Sequence, residues 1–500
     1  MEEKLAKFKE KMGTISDLSA ATAVLAWDQR TYMPPKGAEE RGEQMATLSR
    51  LIHEMSTSEE SGKALDELIP YAATLDRDSD DARLIKEAKK AYDKNTKVPA
   101  EKVAEFARVT TIAQEVWVKA RSESNFSIFQ PHLEKIVELR REYASFFKPY
   151  DHVYDPLLDD FEPGLKTAQV QAIFSHLRPQ QVELIQAIAK KPQVDDSFLK
   201  QNFADQKQWD FGVEVVKAFG YDWEAGRQDR TAHPFSIGFG INDVRITTRV
   251  IEDQVASAMF STMHEAGHAM YQQGVKWDLR RTLLAGGASL AIHESQSRMW
   301  ENLVGRSRPF WHCFYPRLQE LFPAQLANVG MEAFYKAINK VDRSFIRVEA
   351  DEATYNLHVM LRLEIEIALM EGSLEVKDLP EAWNSRMRDY LGIVPPNDKL
   401  GVLQDVHWSG GMIGYFPTYA LGNLVSAQLW EVINRDIPNL EEQIEKGEFS
   451  SLLGWLREKV HAHGAKFEPQ ELVERITGST IDPQPYIKYL NTKYSDIYGL

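Results

Sequence analysis

A mainly α-helical fold, built as one continuous body, is predicted from three observations. Most segments repeat apolar residues at threes and fours between Lys/Glu-rich faces, the period of an amphipathic helix. No Gly/Ser-rich linker, low-complexity tract or internal repeat divides the 500 residues, so residues 1–500 are read as a single domain. One stretch alone, residues 236–250, shows the β-branched alternation of strands.

Taken in order, residues 4–25, 38–56, 82–95 and 100–121 carry the helical period. Breaks fall at Met33-Pro34-Pro35-Lys36-Gly37, where proline removes backbone donors, and at the Asp-rich residues 76–81. Residues 148–164 are rich in Pro, Asp and aromatics and are predicted to be an ordered loop, its acidic Asp155–Asp160 stretch a packed turn rather than a cation site. Residues 236–250 form two β-branched runs around Ile241-Asn242-Asp243, which predicts a small hairpin or two short strands. Further helices are expected over 291–302 and over a long stretch from Met331 to Glu371.

Composition narrows the function. Lys+Arg number 59 against 74 Asp+Glu, a formal charge of −15, which argues against nucleic-acid binding and against a polybasic membrane-surface protein. The single cysteine, Cys313, excludes an internal disulfide framework and any zinc module built on two cysteines. It sits in the aromatic run Phe310–Tyr315, which reads as core rather than as a nucleophile. The chain opens Met1-Glu2-Glu3-Lys4 without an apolar stretch behind, and Leu283–Ile292 is too short to span a bilayer. A soluble, cytoplasmic protein is expected.

Seven of the 13 histidines lie between His233 and His407. Among them is His264-Glu265-Ala266-Gly267-His268. On a helix, residues four apart share a face, so His264 and His268 can present two imidazoles to one ion, with Glu265 beside them. A catalytic zinc takes three protein ligands and leaves one position open. Glu294, on the helical segment that follows, completes a His, His, Glu set. The alternative zincin pattern requires Gly at 271 and His at 274, and the chain has Tyr271 and Gly274. The pattern therefore reads as a zinc hydrolase in which Glu265 is the general base.

Around this centre the chain resembles the carboxypeptidase Taq family of zinc metallocarboxypeptidases. The motifs occur in the family's order: His233-Pro234-Phe235, Asp243-Val-Arg245-Ile-Thr247, the His264–His268 pair, His293-Glu294-Ser295-Gln296, Ile346-Arg347-Val-Glu-Ala350-Asp351, and Gly401-Val-Leu-Gln404-Asp405-Val-His407-Trp408. The resemblance implies a zincin-type helical fold, similar to neurolysin and angiotensin-converting enzyme, with a deep groove and a small sheet beside the zinc helix. It also implies peptide substrates trimmed from the C-terminus with broad tolerance, poorly at proline, by a homodimer using zinc, with cobalt as a substitute.

A carboxypeptidase must hold a free carboxylate, which suits the planar fork of an arginine. Arg347 is the favoured anchor; the competing reading is a helix salt bridge to Asp351, four residues on, with Tyr355 on the same face. Arg245 is the rival anchor, although Asp243 two residues away suggests a structural network with Thr247 that seats the strand against the zinc helix. That strand is also expected to align substrate by edge pairing. His233 either touches substrate or fixes its loop. His407 and Tyr419, with Tyr415 close behind, are the expected oxyanion donors, against a core histidine and packed tyrosines. His293 is read as a neighbour of the metal shell. An oligopeptidase on the same fold and a catalytically silent peptide-binding relative remain as alternatives.

Overall fold

The first helix runs past its apolar periodicity: α1 covers Glu2–Thr31 yet buries only Leu5, Phe8, Met12, Gly13 and Trp27. In this computed structural model, which describes residues 1–500, the Pro34-Pro35 break ends it and α2 (Ala38–Ser56) folds back against it, burying no residue of its own. α3 (Glu59–Ala72) and α4 (Asp80–Lys97) start where Ser58 and Ser79 accept backbone N–H bonds from Ser61 and Ala82, satisfying donors that a helix start leaves free. Leu5, Phe8 and Met12 meet Leu65, Leu68, Leu84 and Ile85 in a cluster of 12 buried residues, separate from the main cluster of 101. The N-terminal helices therefore carry a small core of their own.

The acidic loop is ordered, as predicted, but a short helix, Asp155–Asp159, interrupts it. Asp155 Oδ1 accepts from the Thr167 backbone N–H at 2.8 Å and its hydroxyl at 2.6 Å, and Lys94 reaches Asp159 at 2.9 Å and Asp160 at 2.7 Å. The charges are answered by α4 and by the start of the helix that follows the loop.

Three strands form the only sheet, in the order β1-β3-β2: β1 (Gln228–Arg230) parallel and β2 (Ser236–Gly238) antiparallel to β3 (Val244–Thr248). The hairpin is as predicted; β1, three polar residues long, has no sequence pattern to betray it. Because β3 is central, the strand carrying Asp243, Arg245 and Thr247 has no free edge, which corrects the expected edge pairing. The open edges belong to β1 and β2. Both β2 and β3 lie against the helix Val255–Gln273.

The expected helix from Met331 to Glu371 is also corrected. A helix ends at Ile338, Arg347–Glu349 is a single 3₁₀ turn, and helix resumes only at Tyr355. Polar side chains take the backbone donors in between: the Asp351 carboxylate accepts from the N–H groups of Asp342, Ala353 and Thr354, and the Ser344 hydroxyl accepts from Ile346. Asp351 is thereby committed to the backbone and is not the partner of Arg347. No helix is long and apolar enough to cross a membrane.

Candidate active site

The helix Val255–Gln273 presents His264 and His268 on one face, their ring centroids 4.9 Å apart. Between them, Gly267 lets the next helix cross almost in contact: a Cβ there would lie 2.6 Å from Ser297 Cα and 2.8 Å from the Gln296 carbonyl oxygen. That close approach brings in Glu294 from the helix Leu290–Arg298, which Ser289 caps by accepting from the Ile292 N–H. Glu294 Oε2 lies 3.5 Å from Nε2 of both histidines. Ligand atoms about 2.0–2.1 Å from a tetrahedral ion stand roughly 3.4 Å from one another, so the donor set fits a divalent metal of zinc's size. The predicted trio is also the His/carboxylate group whose ligand atoms all lie within 4.8 Å of one another.

A second layer orients the trio. His264 Nδ1 donates to Glu301 Oε2 at 2.9 Å, which leaves Nε2 free to face the site. Arg298 Nε donates to Glu294 Oε1 at 2.7 Å and its NH1 to Glu301 Oε2 at 3.1 Å. Burial alone would raise the Glu294 carboxyl, but Arg298 and the imidazoles hold it below the usual carboxylate range. The same balance, burial against Arg298 and His264, holds Glu301 at about 2. Glu301 sits in a π-helical turn, Met299–Val304, a widened backbone often found at functional sites. Neither Glu301 nor Arg298 was singled out from sequence, although Glu294 and Arg298 stand at the i, i+4 spacing that signals a helix ion pair.

Glu265 is 8% exposed, and burial raises its carboxyl above the ordinary range, with the imidazoles opposing. It lies with the trio in the wall of a cavity of about 820 Å3. α1 contributes Ser16, Ser19, Ala20 and Ala23 to the wall, and residues 234–240, including the open edge of β2, contribute another part. Tyr415 and Tyr419 close the site, one helical turn apart, their hydroxyls 3.4 Å from each other. His293 also reaches the wall, packed on His268 and Tyr271 at 5.5 and 4.7 Å between rings.

Four predicted residues stand outside that wall. Arg347 is 4% exposed and donates through Nε and NH2 to Asp405 Oδ1, at 3.1 and 2.8 Å, and through NH1 to the Tyr355 hydroxyl at 2.8 Å. Its guanidinium lies 4.8 Å from the Tyr419 ring, so it backs the tyrosine. Asp405 also accepts from Arg362 Nε at 2.7 Å. His407 packs on Phe416 and Tyr415, its Nδ1 without a hydrogen-bond partner, and burial lowers it to about 4, so it is neutral. Arg245 is bound bidentately by Asp243, at 2.8 and 2.9 Å, and held between the rings of Trp27 and Phe239. Thr247 does not join that pair; its hydroxyl accepts from the Phe235 N–H at 2.9 Å. His233 is exposed next to Pro234, which does line the wall. Cys313 is half-buried against the core, its thiol pushed up by burial.

Known proteins share this sequence and fold. The family model described as carboxypeptidase Taq (M32) metallopeptidase matches residues 7–494. Thermostable carboxypeptidase 1 of Thermus thermophilus is 43% identical over 494 residues, covering 96% of each chain. Carboxypeptidase 1 of Bacillus subtilis is 39% identical over 495 residues, covering 99% of this chain and 98% of the relative. The crystal structure of the M32 carboxypeptidase from Deinococcus radiodurans superposes with a TM-score of 0.97 at 41% identity, covering all of both chains. With a matching fold, a His/His/Glu trio able to hold a metal ion and a family model spanning nearly every residue, the chain belongs to the carboxypeptidase Taq (M32) family of metallopeptidases.

Proposed function

We propose that this metallocarboxypeptidase uses zinc to release single amino acids from the C-termini of peptides, with broad side-chain tolerance and poor activity at C-terminal proline. The observation that carries the reading is Glu294 Oε2 at 3.5 Å from both imidazoles, with Glu265 in the same wall. Two nitrogens and one carboxylate oxygen suit zinc, and cobalt can substitute in such a set. A zinc ion held by His264, His268 and Glu294 would supply Lewis acidity, lowering the pKa of water and polarising the scissile carbonyl.

The chain's own residues do the rest. Glu265 takes a proton from the attacking water and passes it to the leaving amine; its buried, upshifted carboxyl suits both transfers. Burial keeps the Tyr415 and Tyr419 phenols protonated, so they can donate to the oxygen on which charge develops, each worth about 3 kcal/mol. His407, expected beside them as a donor, does not line the cavity and packs on Tyr415 and Phe416 instead. The β2 edge, with its Ser236–Gly238 backbone open, aligns the peptide, and His233 stands at the rim beside it.

Release from the C-terminus needs an anion anchor. Arg347 and Arg362 share the one carboxylate of Asp405, whereas Arg245 has Asp243 and two aromatic faces to itself; the shared partner favours Arg347, behind the Tyr419 ring, as the anchor. Broad tolerance fits a cavity wall that contains no lysine or arginine. A C-terminal proline removes the N–H of the scissile amide, which fits poor release. The whole chain acts as one catalytic unit, and the family resemblance extends the reading to a cytoplasmic homodimer, checked by light scattering at twice 57.2 kDa.

The test is mass spectrometry of one unstructured peptide, with free and with amidated C-terminus, incubated with zinc-loaded enzyme. A ladder of single losses from the free end, blocked by amidation, is the expected result. Equal internal cleavage of both peptides would make the protein an oligopeptidase, and no cleavage of either a silent binder. In the same assay Glu265→Gln should lower kcat by roughly 10²–10⁴-fold with zinc content unchanged.

A further inference from the structure

Glu366 is fully buried, 0% exposed, and makes no salt bridge, yet three donors converge on its carboxylate. The Tyr154 hydroxyl donates to Oε2 at 2.6 Å, the Trp408 indole N–H to Oε1 at 2.7 Å, and the Gly414 backbone N–H to Oε2 at 3.0 Å. They come from the acidic loop, from the 3₁₀ turn His407–Gly410, and from the residue immediately before Tyr415. A buried carboxylate without a directly paired cation costs folding free energy, so an apolar residue would serve a packing role better.

The backbone at Gly414 explains why the tether is needed. Its φ is +103°, and a Cβ there would stand 2.3 Å from the Leu157 carbonyl oxygen, so the chain makes a sharp, glycine-dependent bend just before the tyrosines. One turn earlier on the Glu366 helix, Arg362 NH2 donates to Gln404 Oε1 at 2.8 Å and its Nε to Asp405 at 2.7 Å. One face of the helix Tyr355–Glu371 thus pins residues 404–405 through Arg362 and residues 408 and 414 through Glu366. Tyr415 follows directly, its ring packed on Phe161 at 5.2 Å and His407 at 5.3 Å.

We propose that Glu366 is a positioning residue for hydrolysis, fixing the Trp408–Gly414 bend so that the Tyr415 and Tyr419 hydroxyls stay aimed into the cavity. This rests on the reading of those phenols as oxyanion donors. Glutamine at 366 would present an NH2 where a carboxylate oxygen accepts, so one of the three donors would face another donor. The bend would then be released at one end, and misplacing a donor by an ångström is enough to slow chemistry.

The test is a kinetic cycle on zinc-loaded wild type, Glu366→Gln, Tyr419→Phe and the double variant, each checked for metal content and Tm; Tyr415→Phe is run alongside. Glu366→Gln should lower kcat roughly tenfold to hundredfold, with KM held within about threefold. The double variant should be little slower than the slower single, because both changes remove the same donor. Losses that multiply, or a Glu366→Gln enzyme with wild-type kcat, would overturn the positioning role while leaving the phenols' role intact. Wild-type kcat in both tyrosine variants would instead overturn the reading of the phenols, and the proposal with it. Should Glu366→Gln fail to fold or to hold zinc, Trp408→Phe removes a single tether: a kcat loss at full zinc content supports the proposal, and unchanged kcat ends it.

Discussion

Glu294 serves two masters. Its Oε2 faces the imidazoles while Oε1 is held by Arg298, which fixes the carboxylate as a one-oxygen donor. Arg298 also holds Glu301, and Glu301 sets the tautomer of His264. A change at Glu301 should therefore be read in the metal before it is read in the chemistry. Glu301→Gln keeps an acceptor for the His264 Nδ1–H but removes the charge that strengthens its partner. Zinc affinity, measured by chelator competition on the folded protein, should weaken roughly 10–100-fold. Unchanged affinity would mean that Glu301 answers Arg298 and Arg306 alone. Sequence displayed the trio because two of its members share one helical turn and the third lies in the helical segment that follows. It could not display Glu301, whose position depends on a π turn, nor the partner of Arg347, which is 58 residues away at Asp405. Local periodicity suggested Asp351 instead, a residue that the backbone had already claimed.

At the scale of elements, the acidic loop does more than fill a gap. Its Phe161 supports Tyr415, its Tyr154 tethers Glu366, and its Glu162 accepts the Ala291 N–H at 2.6 Å, at the start of the Glu294 helix. None of these links was legible, because composition identifies an ordered loop but not what it touches. The helices fared better: 38–56 was read to the residue, since α2 lies between a proline break and its own amphipathic end. Glu162 also provides a pH signature. Burial, opposed by bonds from Ser289 and Ala291, pushes its carboxyl up to about 8. Its unfolded value is about 4.3. Between those values the folded state binds more protons than the unfolded state, so this group's contribution falls as pH rises through the interval. Glu162→Gln cannot titrate and should lack that fall. The Tm of the wild type, relative to the variant, should drop from about pH 5 to about pH 8. Parallel Tm profiles would show that the helix start keeps the carboxylate ionised throughout.

In the whole molecule, the helices that carry the His/Glu trio belong to the large core, while another part of the cavity wall is α1, whose buried Leu5, Phe8 and Met12 lie in the small cluster. Between Met12 and Trp27 the helix presents only half-buried or exposed residues apart from Gly13, among them the serines and alanines that line the cavity. The buried apolar anchors of the wall thus lie at its two ends, while α2 packs along it and Arg281 pairs with Asp17 between them. At the near end are Leu5, Phe8 and Met12. At the far end Trp27 sits between the guanidinium groups of Arg245, 4.5 Å away, and Arg227, 5.5 Å away, while the Tyr32 hydroxyl donates to Asp229 and Arg30 lies 5.1 Å from the Phe235 ring. The Asp243–Arg245 motif therefore has a mechanical role, fastening the α1 wall of the groove to the sheet that flanks the ligand helix. Two cation–π contacts at partly exposed sites are worth about 1–2 kcal/mol together. Trp27→Ala should therefore loosen α1 without disturbing the metal shell. Hydrogen exchange should quicken across residues 14–31 and stay unchanged in the Glu294 helix, while KM rises roughly fivefold to thirtyfold and kcat changes less. If KM and exchange both stay at wild-type values, Trp27 does not hold the far end, and the width of the groove is set by the small core and by the packing of α2 along α1 rather than by the sheet.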